Sequence, residues 1–239
     1  MLFSLLSREA LLAFLADLPY RIPALLIALT LHEYFHAFAA VRLGDPTPRT
    51  QERLSLNPLN HLDPIGTVML LLVGVGWAKP VYISPVYFKN RKRDTAIVSV
   101  AGPLTNFALA AVSLFLLALL LPPISRLGIG WLYTGVDTFF YWMIIVNAML
   151  GVFNLIPVPP LDGSKILAFF LTDRAYYGYL RYEKYGYIVL ILLLVMGWLT
   201  PIIGFFARHI LTGLNFVFGN AGGFLGRFIA ELVVRGAGG

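Results

Sequence analysis

The sequence predicts an all-α polytopic membrane protein with about six transmembrane helices and a short re-entrant β-hairpin or strand. Of its 239 residues, 59% are hydrophobic and only 13% are charged, about half the charged fraction of a typical soluble domain. Mean hydropathy is +0.79, and several uncharged blocks exceed the roughly 18 residues that cross a bilayer. These observations exclude an ordinary water-soluble domain and favour a single membrane-embedded domain over residues 1–239.

The apolar segments define the predicted elements. Residues 1–19 carry three charges and predict a short span or an interfacial helix rather than a removable signal peptide. Residues 65–78 are too short to cross the membrane and are rich in Gly and Val, which favours a re-entrant strand or hairpin. Residues 209–234 predict a sixth span or a helix on the membrane surface. Four further segments are long enough to span, namely residues 20–43, 96–121, 138–161 and 185–207.

The distribution of Lys and Arg predicts the orientation. Residues 42–93 and 165–184 together hold twelve of these cations, whereas the opposite span ends hold three. The positive-inside rule therefore places the first set in the cytoplasm. The net charge of +6 is then explained by loops that face an anionic leaflet, so no nucleic-acid partner is expected. Because the chain has no cysteine, His and carboxylates must hold any metal.

The first candidate catalytic motif is His32-Glu33-Tyr34-Phe35-His36, which matches H-E-x-x-H. On a helix the two imidazoles lie about 40° apart and can bind one zinc ion, with Glu33 available as a general base. Ionisable groups at membrane depth are costly and mark functional sites. The competing interpretation, a set of satisfied core residues, gives no reason for a carboxylate inside an apolar span.

A catalytic zinc site needs a third protein ligand and one open position. Most remaining acids fall in polar loops, whereas Asp162 closes the apolar segment 138–161. The predicted orientation places Asp162 on the same side of the membrane as the second half of the H-E-x-x-H helix. A helix N-cap or turn residue is the alternative interpretation of Asp162.

These residues resemble the site-2 proteases, a family of intramembrane zinc metalloproteases, in the small form that lacks PDZ and CBS modules. The resemblance covers most of the chain, with signature segments in family order at residues 32–36, 44–45, 53–67, 76–81, 101–106 and 154–163. H-E-x-x-H alone is shared with soluble zinc proteases. Its pairing with the N-x-x-P-x-P-P-L-D-G segment that begins at Asn154 is specific to this family.

The resemblance implies that His32, His36 and Asp162 hold one zinc ion and that Glu33 is the catalytic base. It also implies a catalytic core over residues 20–163, followed by C-terminal helices over 164–239. The expected setting is the bilayer of a prokaryotic cytoplasmic membrane, with the active site towards the cytoplasm. Membrane-anchored proteins or peptides are the expected substrates.

Other site residues carry weaker predictions. Asn154 is expected near the reacting carbonyl, as a second catalytic group, or alternatively bonds backbone across a helix kink. Pro160 and Gly74 are expected to contact substrate, although the prolines also terminate a helix and the strand around Gly74 is equally compatible with a barrier. His61 is expected to anchor a loop.

Two further classes of function stay open at the level of sequence. A membrane protein that binds or transports metal would also place His and Asp in the bilayer, but it gives no reason for Glu33 directly after His32. An inactive family member acting as a scaffold is disfavoured because His32, Glu33, His36 and Asp162 are all present.

Overall fold

The computed structural model describes residues 8–63, 66, 79–172, 174–175, 179 and 185–218, and the described part is mostly helical. Short 3₁₀ helices occur at Pro58–Asn60 and Pro85–Tyr87. The α-helices with described bounds are α1 Arg8–Arg42, α2 Thr47–Thr50, α3 Arg91–Arg126, α4 Gly130–Asn154, α5 Asp162–Phe170, α6 Gly186–Val195 and α7 Leu199–Phe218.

Three helices of the described part are long and apolar enough to cross a membrane. They are Phe14–Arg42 within α1, with 29 residues, α3 with 36 residues and α4 with 25 residues. At 1.5 Å per residue, even the shortest extends about 38 Å, which exceeds the roughly 30 Å hydrocarbon core. The protein is therefore an integral membrane protein. The predicted count of six spans is not confirmed, and the predicted strand over residues 65–78 lies outside the described residues apart from Gly66.

The N-terminal prediction of two separate elements differs from the structure, because α1 runs without interruption from Arg8 to Arg42. Pro19 and Pro23 lie inside this helix. Each proline removes one backbone hydrogen bond, and neighbouring helices compensate for such losses in membrane proteins. The two prolines therefore do not end the helix.

One face of α1 is built from small residues and histidines at every fourth position. Ala24, Ala28, His32, His36 and Ala40 are all buried along this face. Residues four apart lie on the same side of a helix, and small side chains let a second backbone approach closely. Helix α3 packs against this face and also contacts α4 and α5. The two histidines consequently lie in the helix bundle rather than towards lipid.

The predicted span 138–161 is shifted in the structure. Helix α4 begins at Gly130 and ends at Asn154, and an irregular segment of seven residues leads to α5. Prolines at positions 157, 159 and 160 explain the end of the helix, because proline cannot donate the bond that continues it. This irregular segment delivers Asp162 to the first position of α5.

The predicted span 185–207 is instead two helices, α6 and α7, separated at residues 196–198. Gly197 adopts a positive φ of 72°, a conformation that favours glycine just after a helix end. The ten residues of α6 extend only about 15 Å, too short to cross the bilayer. A buried cluster joins these helices to α4 and the irregular segment through Val152, Leu161, Leu190, Leu199, Ile203 and Ala207.

Candidate metal centre

His32 and His36 lie one helical turn apart on α1, and both are buried. Their rings meet edge to face, with centroids 4.6 Å apart and planes at 86°. The two Nε2 atoms are 3.0 Å apart. The i, i+4 spacing read from the sequence therefore directs the same nitrogen of both rings to one point.

Asp162 reaches this point from the other side of the bundle. Its Oδ2 lies 3.3 Å from Nε2 of His32 and 3.1 Å from Nε2 of His36. Gly163 lets the start of α5 approach the irregular segment, because a Cβ there would overlap the carbonyl of Leu155 and lie 2.6 Å from that of Ile156. The close backbone contact at Gly163 thus holds the start of α5, and with it Asp162, against the end of α4.

The outward nitrogens of the two rings fix their hydrogen positions. Nδ1 of His36 lies 2.7 Å from the carbonyl oxygen of Val98, and Nδ1 of His32 lies 2.6 Å from Oδ1 of Asn106. Both oxygens accept, so each Nδ1 carries the proton and donates. In the neutral rings both Nε2 atoms then present lone pairs. A donor bond from Nδ1 to a neighbouring oxygen is the usual arrangement for a metal-binding histidine.

The three converging atoms fit a metal ion. Two imidazole lone pairs and a carboxylate oxygen lie within 3.3 Å of one another, an arrangement that is repulsive without a cation between them. Ligand atoms of tetrahedral zinc, at about 2.0–2.2 Å from the ion, lie about 3.3–3.6 Å apart. The observed separations need to widen by only a few tenths of an ångström. In the described part of the chain, His32, His36 and Asp162 form the one group of three such ligands.

Gly102 of α3 provides the space next to the two rings. A Cβ at this position would overlap Nε2 of His36 and lie 2.6 Å from Cε1 of both histidines. The edges of the two rings that carry Cε1 and Nε2 therefore face the backbone of α3. A residue larger than glycine would occupy the place where these edges meet.

Glu33 is buried beside the histidines and is held by residues 79–84, a segment without helix or strand. The backbone N–H of Val81 donates to Oε2 of Glu33 at 3.0 Å. The segment is fixed at its ends, where Lys79 N–H donates to the carbonyl of His61 at 2.8 Å and Ser84 N–H donates to Oδ2 of Asp45 at 2.7 Å. These three bonds hold one carboxylate oxygen of Glu33 in place.

Of the other predicted site residues, Asn154 and Pro160 are described by the structure and Gly74 is not. Asn154 ends α4, and its Nδ2 donates to the carbonyl of Leu150, one turn back in the same helix, at 3.0 Å. Pro160 lies half-buried in the irregular segment, and Gly74 lies outside the described residues. His61 is fully buried and its Nε2 lies 2.7 Å from the carbonyl oxygen of Ser55, consistent with the expected loop-anchoring role.

Several residues around the centre received no role from the sequence. Gly102 and Asn106 stood in a signature segment, and their contacts with the histidines came only from the structure. Val81 acts through its backbone, which no side-chain pattern reveals. Asn147 carried one available signal, an amide in an otherwise apolar run, and it bonds Asn106 at 2.9 Å.

The long apolar helices and the buried His–His–Asp group define an integral membrane protein with a candidate metal centre inside its helix bundle. The chain belongs to peptidase family M50, the site-2 protease family, whose family model matches residues 20–197. The predicted family is thereby confirmed.

Named relatives agree with this assignment. "Putative zinc metalloprotease YwhC" of Bacillus subtilis is 39% identical over 184 residues, which cover 76% of this chain and 82% of that protein. Rip2 of Mycolicibacterium smegmatis, which carries the same description, is 30% identical over 213 residues, covering 85% of this chain and 78% of Rip2. "Zinc metalloprotease MJ0392" of Methanocaldococcus jannaschii is 29% identical over 67% of this chain and 36% of its own. No solved structure matches the chain closely enough to count as similar.

Proposed function

We propose that this protein is an intramembrane zinc endopeptidase that hydrolyses peptide bonds in or near the transmembrane segments of membrane-anchored substrates. The observation that carries the proposal is the convergence of His32, His36 and Asp162, with ligand atoms within 3.3 Å of one another, beside the buried Glu33. Membership of family M50 and the names of the relatives, putative zinc metalloproteases, support the same activity.

In this proposal the two histidines and Asp162 hold one zinc ion, and the fit of their donor atoms supports that role. When bound there, zinc would act as a Lewis acid. It would polarise a peptide carbonyl and lower the pKa of water to about 7. Glu33 takes the proton from the attacking water and returns it to the leaving amine. The Val81 amide holds Oε2 of Glu33, which leaves Oε1 to carry the proton.

Asn154 is proposed to donate a hydrogen bond to the oxyanion that develops on the substrate. One N–H of its amide is engaged with the Leu150 carbonyl, and the second N–H is the one that serves this role. A single preorganised donor of this kind contributes up to about 3 kcal/mol to transition-state stabilisation. Pro160 and Gly74 are proposed to contact the substrate chain.

The location of the centre supports the proposed substrate class. His32 and His36 belong to a helix long and apolar enough to span the membrane, so a soluble loop would have to enter the bundle to reach them. A transmembrane segment arrives within the bilayer, but its peptide bonds are enclosed in helical hydrogen bonds and must first unwind. We therefore propose cleavage near the cytoplasmic face, in regulated intramembrane proteolysis or in the clearance of signal-peptide remnants.

The proposal is tested with purified protein in detergent or liposomes and a single-span peptide that carries Gly or Pro near its centre. Products are identified by mass spectrometry and bound zinc is quantified for the unmodified chain and two variants. Glu33→Gln is expected to abolish cleavage, by about 1,000-fold or more, while it retains zinc. Asp162→Ala is expected to lose both zinc and cleavage.

Each alternative class of function predicts a different outcome. A metal-transporting protein would keep metal flux in the Glu33→Gln variant, and a scaffold would show no cleavage in the unmodified chain. Cleavage that survives Glu33→Gln would contradict the assigned base. Zinc that remains bound at full affinity in Asp162→Ala would contradict the assigned ligand.

A further inference from the structure

We propose that Asn147 is a positioning residue of the metal centre, because through Asn106 it fixes which nitrogen of His32 carries the proton. The inference rests on the metal site proposed above and extends it by two side chains, one on α3 and one on α4. Asn147 lies on α4, Asn106 on α3 and His32 on α1, and both asparagines are completely buried.

The chain of hydrogen bonds starts at a backbone carbonyl, which can only accept. Nδ2 of Asn147 donates to the carbonyl oxygen of Met143 at 2.8 Å, so Oδ1 of Asn147 faces the other way. Nδ2 of Asn106 donates to that oxygen at 2.9 Å. Oδ1 of Asn106 is therefore the atom that faces His32 at 2.6 Å. The direction of every bond follows from the first, because an amide has one donor end and one acceptor end.

The consequence for His32 is a single tautomer. With an acceptor opposite Nδ1, that nitrogen holds the proton and Nε2 keeps its lone pair for the metal. A reversed Asn106 amide would place a donor opposite Nδ1 and move the proton to Nε2. That proton would then lie among the three metal-ligand atoms and oppose binding of the ion.

Asn106 has a second acceptor, but it is a weaker restraint. Its Nδ2 lies 3.4 Å from the carbonyl oxygen of Ala28, compared with 2.9 Å from Oδ1 of Asn147. The longer distance exceeds the usual range of 2.7–3.2 Å for such bonds. Asn147 therefore provides the main restraint on the orientation of Asn106.

His36 provides an internal comparison. Its Nδ1 donates directly to the backbone carbonyl of Val98, so no side-chain amide has to be oriented. A change at Asn147 should alter the tautomer of His32 and leave that of His36 unaffected.

The first test measures tautomers in the zinc-free protein. The chain has only four histidines, so the ring nitrogens can be followed by NMR after ¹⁵N-histidine labelling. In the unmodified protein both His32 and His36 are expected to carry the proton on Nδ1. Asn147→Leu, which is similar in size, should give a mixture of tautomers at His32 alone. Asn147→Ala should do the same and serves as a second variant if the leucine impairs folding.

The second test measures zinc affinity by competition with a chelator. Loss of an outer partner of a metal-bound histidine typically weakens binding 10–100-fold. We expect about 10-fold for Asn147→Leu and a larger loss for Asn106→Leu, which removes the acceptor itself. Thr105→Val is the matched control, because Thr105 neighbours Asn106 on α3 and donates only to the carbonyl of Ala101 in the same helix.

A rescue variant separates positioning from packing. An ionised Asp accepts at both oxygens, so Asn106→Asp presents an acceptor to His32 in either orientation. Combined with Asn147→Leu, it should restore the Nδ1 tautomer and most of the zinc affinity. Failure of this rescue, or an unchanged His32 tautomer in both Asn147 variants, would overturn the inference. Absence of zinc binding in the unmodified chain would instead contradict the metal site, and the NMR measurement would still decide the role of Asn147.

Discussion

The absence of a side chain at Gly102 gives the two imidazole rings room to meet. Because a Cβ there would overlap Nε2 of His36 and press on both Cε1 atoms, we expect Gly102→Ala to push the rings apart. Zinc affinity should fall at least 10-fold, as for other disturbances next to a metal ligand. The measurement is chelator competition on the purified variant.

The matched control for Gly102→Ala is Gly204→Ala on α7, where, among the described residues, no atom beyond the neighbouring backbone of the same helix lies within 4 Å of the added Cβ. Both changes replace glycine by alanine within a helix, a change worth about 1 kcal/mol in favour of the helix. Only Gly102→Ala should lose zinc. Equal zinc affinity in the two variants would show that the rings can yield without cost.

Single residues of the site were predictable from the sequence when their partners lie close to them along the chain. His32 and His36 are four positions apart, so helix periodicity alone brings their rings together. Asp162 was predicted from its depth and from the orientation of the spans. Asn106 bonds to a residue 74 positions away and Asn147 to one 41 positions away. No local pattern encodes these contacts, which depend on how the helices pack.

At the scale of elements, the segment 79–84 contacts the proposed base through a single backbone hydrogen bond. Val81→Pro removes the N–H that donates to Oε2 of Glu33. A hydrogen bond to a charged group contributes about 1.5–3 kcal/mol, so we expect kcat for peptide cleavage to fall about 10–100-fold. Zinc affinity should stay as in the unmodified chain, because Val81 contacts none of the three proposed ligands through this bond.

Tyr82→Pro is the matched control for Val81→Pro. The side chain of Tyr82 is exposed, whereas that of Val81 is buried. This variant stiffens the same segment and keeps the Val81 N–H. If Val81→Pro retains full activity while Tyr82→Pro does not, the segment acts through its shape and not through its bond to Glu33.

The existence of the long helices was predicted well, because it depends on the length of the apolar segments. The positions at which helices end were predicted less well. Spans within α1, α3 and α4 were all expected from the lengths of their apolar segments. The continuity of α1 from the first predicted element into the second was missed, because the three charges of residues 1–19 set that stretch apart from the apolar span 20–43. The division of residues 185–207 depends on Gly197, which looks like an ordinary glycine of an apolar segment until its backbone conformation is known.

At the scale of the whole molecule, the proposed zinc ion joins two distant parts of the chain. His32 and His36 belong to α1, whereas Asp162 follows in α5, 126 positions after His36. An ion that binds only the folded state stabilises it by about 4 kcal/mol when its concentration is 1,000 times Kd. We therefore expect zinc to raise the Tm of the chelator-treated protein by about 10 °C, measured by thermal unfolding in detergent.

Two variants decide whether this stabilisation arises at the proposed centre. Asp162→Ala should lose most of the zinc-dependent rise in Tm, because two imidazoles alone hold the ion weakly. Asp94→Ala removes another buried carboxylate, which bonds to Asn90 and Arg93 away from the cluster. It should lower Tm equally with and without zinc. Mg²⁺ should have no effect, since it prefers six oxygen ligands. A zinc-dependent rise that persists in Asp162→Ala would place the ion elsewhere in the molecule.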